Sequence, residues 1–143
     1  MAELDMRLEV VVLPVTDFDR AKQFYVEKVG FNLDADHDSG EGFRVIQMTP
    51  PGSACSVSLV QGPGAPQMEP GSLKGLQITT TDLKGVRAAL AERGVDVSEI
   101  QTYNRWEGGF LPVEGELEVF NAFVFFDDPD GNGWAIQQGP AKE

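Results

Sequence analysis

The chain has 143 residues, enough for one domain with a sizeable core, and its 41% hydrophobic and 24% charged residues are ordinary for a soluble globular protein. A formal net charge of −12 excludes a basic patch able to neutralise a phosphate backbone and disfavours anionic membrane surfaces. No stretch approaches the length of a membrane span, the start MAELDMRLE lacks a basic n-region and an apolar h-region, and Cys55 has no partner cysteine, so a reducing, cytoplasmic setting is expected, without nucleic acid or membrane as partner.

In chain order, Leu8 to Val15 is β-branched and apolar and reads as a buried strand. Asp17 caps a helix in which Ala21, Phe24, Tyr25 and Val29 recur at helical spacing up to Gly30, a C-terminal stop. Phe31 to Asp36 reads as a second strand, HDSGEG as a loop, Phe43 to Thr49 as a third strand and Ala54 to Val60 as a fourth. The segment 61–72, QGPGAPQMEPGS, is a linker rich in Gly and Pro. A second series follows: a strand over 75–80, Asp82 as cap, a helix over 83–93, Gly94 as stop and a short strand at Val95–Val97. Residues 101–118 read as a long irregular stretch with room for one more strand. Then come a strand within 119–126, the tight acidic turn Asp128-Pro129-Asp130-Gly131-Asn132, and a last strand, Gly133–Gln138.

The two series repeat in element order. "VTDF" around Asp17 pairs with "TTDL" around Asp82, and "PPGSACSVSL" pairs with "PDGNGWAIQQ". The second half carries the longer excursion. Within the strands, Cys55, Val57 and Leu59 alternate with Ser56 and Ser58, Trp134 and Ile136 with Ala135 and Gln137, and Leu76 and Ile78 with Gln77 and Thr79. One face of each sheet is therefore large and apolar, the side a helix covers, and the other small and polar.

"VTDFDRAKQFYVEKVGF" followed much later by "FDDPDGNGW" resembles the vicinal oxygen chelate superfamily, the glyoxalase and bleomycin-resistance-like fold, over roughly residues 7 to 138. The resemblance implies an α+β chain: two βαβββ modules in one chain, paired curved mixed sheets enclosing a cavity. The whole chain, 1–143, is then a single glyoxalase-like domain, with module 1 at about 7–61, module 2 at about 73–138 and the linker at 62–72. Metalloenzymes of this superfamily hold a divalent ion with His, Glu or Gln from the first and last strand of each module. Counting back by the family's spacing from Asp17 and Asp82 reaches Val10 and Gly75; the position after the DPDGN turn is Ala135, and its repeat partner is Ser56. Valine, glycine and alanine offer no donor and a lone serine hydroxyl binds weakly, so neither metal nor other cofactor is expected.

The candidate ligand-binding residues are Ser56, Ser58, Gln77, Thr79 and Gln137 on the small polar faces, with Tyr103 and Trp106 from the irregular stretch. Amides and hydroxyls donate and accept hydrogen bonds but do not shuttle protons near neutral pH. The long stretch carries Tyr103, Arg105, Trp106, Phe110 and Leu111 around Gly108-Gly109, which suits a lid over a pocket or, equally, a contact between two copies of the chain. His37 reads as a solvated loop residue outside the cavity strands, and Cys55 as a buried thiol on the helix-facing side. Arg44 and Gln47 lie on opposite faces of one strand, with no sign of which points inward. The expected function is the binding of a small polar or aromatic organic molecule, with a homodimer as the expected assembly. The alternatives are a metal-independent enzyme of secondary metabolism using Tyr103, Arg44 or a loop carboxylate, and a metal-dependent lyase, isomerase, epimerase or dioxygenase of the same superfamily.

Overall fold

A computed structural model describes residues 4–141, and the chain divides into two compact units, 1–70 and 71–143.

The first unit runs β1 (Val10–Val12), α1 (Phe18–Gln23), a π-helical turn (Phe24–Val29), β2 (Asn32–Asp38), β3 (Arg44–Thr49) and β4 (Ser56–Gln61). The sheet order is β1-β4-β3-β2, with β1 parallel to β4 and the other pairs antiparallel. The helix starts where expected: the Asp17 carboxylate accepts the backbone N–H of Arg20 at 3.0 Å. Its second half is wound more widely than an α-helix, because the Gly30 amide reaches back to the Tyr25 carbonyl at 2.9 Å. Gly30 ends it with φ at 94°, a left-handed conformation that a residue without Cβ adopts freely. Ala21 and Tyr25 are fully buried, and the Tyr25 ring stacks on Phe31 with centroids 5.4 Å apart. Against them the sheet supplies Ile46, Met48, Val57 and Leu59.

One irregularity in this sheet separates two carboxylates. The β2–β3 register shifts between Leu33 and Ala35, leaving Asp34 as the extra residue of a bulge. In an unbroken strand Asp34 and Asp36 would share a face. The bulge sends them to opposite sides.

The second unit runs β5 (Leu76–Thr80), α2 (Leu83–Glu92), β6 (Gln101–Tyr103), β7 (Phe110–Pro112), β8 (Phe123–Asp127) and β9 (Gly133–Gln138), in the sheet order β5-β9-β8-β6-β7. The Asp82 carboxylate caps α2 by accepting the Gly85 amide at 3.1 Å. Leu83 and Leu90 of the helix are buried, as are Val124, Phe126, Trp134 and Ile136 of the strands, and the rings of Phe126 and Trp134 lie parallel.

Two expectations for this unit need correction. Val95–Val97 forms no strand; both valines are buried, and the segment is tied to β8 only where the Ser98 amide and hydroxyl meet the backbone of Phe125, each at 2.9 Å. Burial of two apolar side chains holds it without a ladder. The stretch 101–118 is not structureless: β6 and β7 form a hairpin, so this unit has one strand more than a βαβββ module. Its turn is organised by Asn104, whose side-chain oxygen accepts the amides of Trp106 at 3.0 Å and Glu107 at 3.2 Å.

The acidic turn between β8 and β9 is held by one buried carboxylate. Asp128 Oδ1 accepts the amides of Asp130, Gly131 and Asn132 at 2.9, 3.0 and 2.9 Å, and its Oδ2 accepts Nδ2 of Asn132 at 2.8 Å. Asn132 Oδ1 in turn accepts the amide of Leu73, which fixes the entry to β5. Replacing Asp128 by Ala strands the amides of Asp130 and Asn132 at a 5% exposed site, while Gly131 keeps its bond to the Asp128 carbonyl, a loss of about 3 kcal/mol. Thermal unfolding followed by circular dichroism should show D128A melting about 10 °C below wild type; D128N, which keeps one oxygen, should fall between them.

Candidate functional site

Each sheet has one face packed under its helix and one face not covered by it, and the side chains of the second face define the candidate site. In the first unit, strand pairing places Val10 beside Ser56, Val12 beside Ser58, and Ser58 beside Gln47. Ser56 and Ser58 are 5% and 4% exposed. Ser56 Oγ lies 2.6 Å from Thr49 Oγ1 and accepts a bond from Nε2 of Gln47 at 3.3 Å, while the Thr49 hydroxyl bonds to the Asp34 carboxylate. The bulge thus places a carboxylate at the end of a row of hydroxyls and an amide. Gln47 belongs to this polar face.

Arg44 belongs to the other. Its guanidinium grips both oxygens of Asp36, at 3.1 and 2.9 Å, and Oδ1 of Asp19 at 2.9 Å; Lys22 adds a bond to Asp36 at 2.8 Å. Beside it, a half-open concavity of about 610 Å³ is lined by the stretch 12–19, by Arg44 and by residues 60–62 and 65–68. None of the candidate ligand-binding residues lines it, and its one arginine, Arg44, is already committed to two carboxylates. His37 stands in β2, paired with Val45 and 6.2 Å from the Phe43 ring. The loop expected around it begins only after Asp38, because the acidic residues extend the strand along a sheet edge, where exposed charge is tolerated. Cys55, just before β4, is only partly buried.

In the second unit, Gln77, Ala135 and Phe125 stand side by side across three strands, and Thr79, Gln137 and Phe123 form the next row. Phe110 packs against Phe123 and Phe125 at ring distances of 5.8 and 5.0 Å, and Tyr103 against Phe110 at 5.4 Å. Four rings therefore meet on the face that carries the polar candidates. Tyr103 and Phe110 are each 44% exposed, so the group is only half covered. Strand alternation from Ala135 and Gln137 did not reveal Phe123 and Phe125; the signal was present in "FVFF", where Val124 and Phe126 take the helix side and the flanking rings the other. Trp106 sits in the hairpin turn, 89% exposed.

Gln137 is held firmly. Its Oε1 accepts from Nε2 of Gln77 at 3.2 Å, and its Nε2 donates to the Phe120 carbonyl at 2.8 Å. Phe120 has φ at 68°, a strained value for a non-glycine residue, and its own amide donates to the Gln138 carbonyl at 2.8 Å.

The metal question turns on register. Val10 stands opposite Ser56, and the residue opposite Ala135 is Gln77. Gly75, reached by counting from Asp82, falls before β5, because the connection from β5 to its helix is shorter than that from β1 to its helix. The corresponding positions are thus Val10, Ser56, Gln77 and Ala135. The first pair offers one hydroxyl, already bonded internally, and the second one amide, and neither pair makes a site for a divalent transition metal. Among the described residues no three His, Cys, Asp or Glu side chains gather to hold an ion.

Two βα-led sheets, each with one face that its helix does not cover, define a class of two-module proteins, and the family comparison agrees. The chain belongs to the Glyoxalase/Bleomycin resistance protein/Dioxygenase superfamily, whose family model matches residues 7–136. It is similar to TnmS3, an antibiotic binding protein from Streptomyces sp. CB03234, with 34% identity, 98% of this chain and 100% of that chain covered and a TM-score of 0.72. It is also similar to a glyoxalase/bleomycin resistance protein from the same Streptomyces, at 36% identity over 92% of this chain and 100% of that one, TM-score 0.69. A further relative is the uncharacterized protein YetH of Bacillus subtilis, 28% identical over 92% of this chain and 98% of its own length.

The Asp36 cluster yields a pH prediction. Bonds from Arg44, and then from Lys22, hold the Asp36 carboxyl down from 3.8 to about 2, and Asp36, then Asp19, raises Arg44 in turn. A lowered folded-state value means the stabilisation is complete above the ordinary carboxylate range and is lost as the pH falls through about 2. The melting temperature of D36N should lie below wild type at neutral pH, with a gap that stays constant down to about pH 5 and closes on further acidification. A gap that widens in acid contradicts the assignment.

Proposed function

We propose that this chain is a metal-independent binding protein that seats a small aromatic organic molecule, of the antibiotic or related metabolite class, on the open face of its second sheet. One observation carries the reading. Tyr103 and Phe110, each half-exposed, gather with the partly buried Phe123 and Phe125 beside Gln77, Thr79 and Gln137. Phe110 already meets its neighbours edge-on, at 83° and 75°, the arrangement by which one more ring is added to such a group. Half-covered aromatic surface of this kind marks a site of interaction on a soluble protein. The neighbouring amides and hydroxyl fix orientation without offering a general base.

Similarity to an antibiotic binding protein over nearly the whole of both chains supports the same class of ligand. The residues at the superfamily's metal positions, Val10, Ser56, Gln77 and Ala135, support a metal-independent mode. Trp106, at the tip of the hairpin that carries Tyr103 and Phe110, is assigned to the rim of the surface. Ser56 and Ser58 are assigned to holding the first sheet's polar face rather than to first contact with the ligand, since both are nearly inaccessible.

A thermal-shift screen of aromatic antibiotics and metabolites should return binders, because a ligand of the folded state alone raises the midpoint. For such a binder, Phe110→Ala should weaken affinity about tenfold by calorimetric titration, with little change in melting temperature. Affinity untouched by that substitution would move the site off this face. Weakened self-association in sedimentation, with affinity intact, would make the rings a contact between copies of the chain. Chelator should change neither affinity nor melting temperature.

A further inference from the structure

The row Asp34–Thr49–Ser56–Gln47 has a forced hydrogen-bond direction. A carboxylate offers no proton, so the single Thr49 hydroxyl proton goes to Asp34. Ser56 must then donate across the 2.6 Å contact to Thr49, and its remaining capacity is as an acceptor, which Gln47 Nε2 meets at 3.3 Å. With Nε2 turned to Ser56, Oε1 of Gln47 is left to accept. Every hydroxyl proton in the row is spent internally. What remains for a ligand is lone pairs: the Asp34 carboxylate, one on Thr49 and the Gln47 oxygen, against one spare amide proton, while the spare lone pair of Ser56 is buried.

A second observation is independent of that chain. Asp34 reaches this face only through the bulge in β2; its neighbour Asp36 is on the opposite face, neutralised by Arg44 and Lys22. Bulges re-aim single side chains, and this one separates a carboxylate paired with two cations from one that accepts from the Thr49 hydroxyl. The other polar side chains that strand pairing places on this face are Asn32 and His37 from β2 and Ser58 from β4; Ala35, Val45, Val10 and Val12 beside them are apolar. His37 is the one titratable group among these, two registered pairs further along the strand than Gln47.

We infer that this row is a recognition site for a primary ammonium group, borne by a small organic amine, seated against Asp34, Thr49 and Gln47. It is built from the first unit alone and does not depend on the reading of the second unit's aromatic face. An ammonium has three donors and no acceptor, which matches a row that has spent its own protons. A carboxylate of the same size meets lone pairs and a like charge, and an alcohol gains only a neutral bond.

The test uses n-butylammonium, n-butanol and butyrate as probes of one body and three head groups, with the amide resonances of Thr49, Ser56 and Gln47 followed by NMR titration of the full chain. n-Butylammonium should shift these resonances at concentrations several-fold lower than n-butanol, and butyrate should not shift them. Asp34→Asn, at an exposed position, should weaken n-butylammonium about five- to tenfold and leave n-butanol unchanged. Thr49→Val should weaken it less. Asp36→Asn, on the opposite face, should leave it as in wild type. Equal response to the three probes, or an equal effect of the Asp34 and Asp36 substitutions, would overturn the inference. Since no probe carries a ring, none of these outcomes bears on the aromatic face.

Discussion

A single buried carboxylate decides how the second unit is read. With four donors converging on it, Asp128 fixes the five-residue turn between β8 and β9 and, through Asn132, the point where the chain enters β5. Pleated strands have a period of two, so a slip of one residue in either would exchange the faces. Phe123, Phe125 and Gln137 would then lie under α2, and Val124, Phe126 and Ile136 would be exposed. Turn geometry and binding surface are one constraint, which explains why so much hydrogen bonding is spent on a turn.

The first unit achieves a comparable separation by different means. There the register is interrupted rather than locked. Asp36 joins Arg44, Lys22 and Asp19 in a cluster whose charges largely cancel, on the side of the helix. Asp34, one bulge away, keeps a hydroxyl as its contact and orders the protons of Thr49 and Ser56. The same residue type does opposite work two positions apart because the backbone, not the side chain, selects the environment.

Much of this was legible in the sequence because the signals are local. Asp17 and Asp82 announce both helices, Gly30 ends the first, and the alternation in "SVSL" and "WAIQ" assigns faces correctly. The errors arise where tertiary context overrides local pattern. β-branched Val95 and Val97 suggest a strand, yet burial alone anchors them. Tyr103 and Phe110 flank a turn set by Asn104 and two glycines, a hairpin signal hidden by the charged residues around it. The displacement from Gly75 to Gln77 arises because two modules with the same element order connect strand to helix by different lengths, and only pairing reveals it. Bulges leave no mark in composition, so the split of Asp34 from Asp36 was invisible.

The placement of the two tryptophans has a spectroscopic consequence. Trp134 is 5% exposed and lies against Phe126, whereas Trp106 stands 89% exposed at the hairpin tip. One indole therefore emits from an apolar interior and the other from water, and a soluble quencher such as iodide reaches only the second. The native chain carries an internal reference and a surface reporter at once. Events at the hairpin can be told from events in the core by the colour of the emission, with no label added.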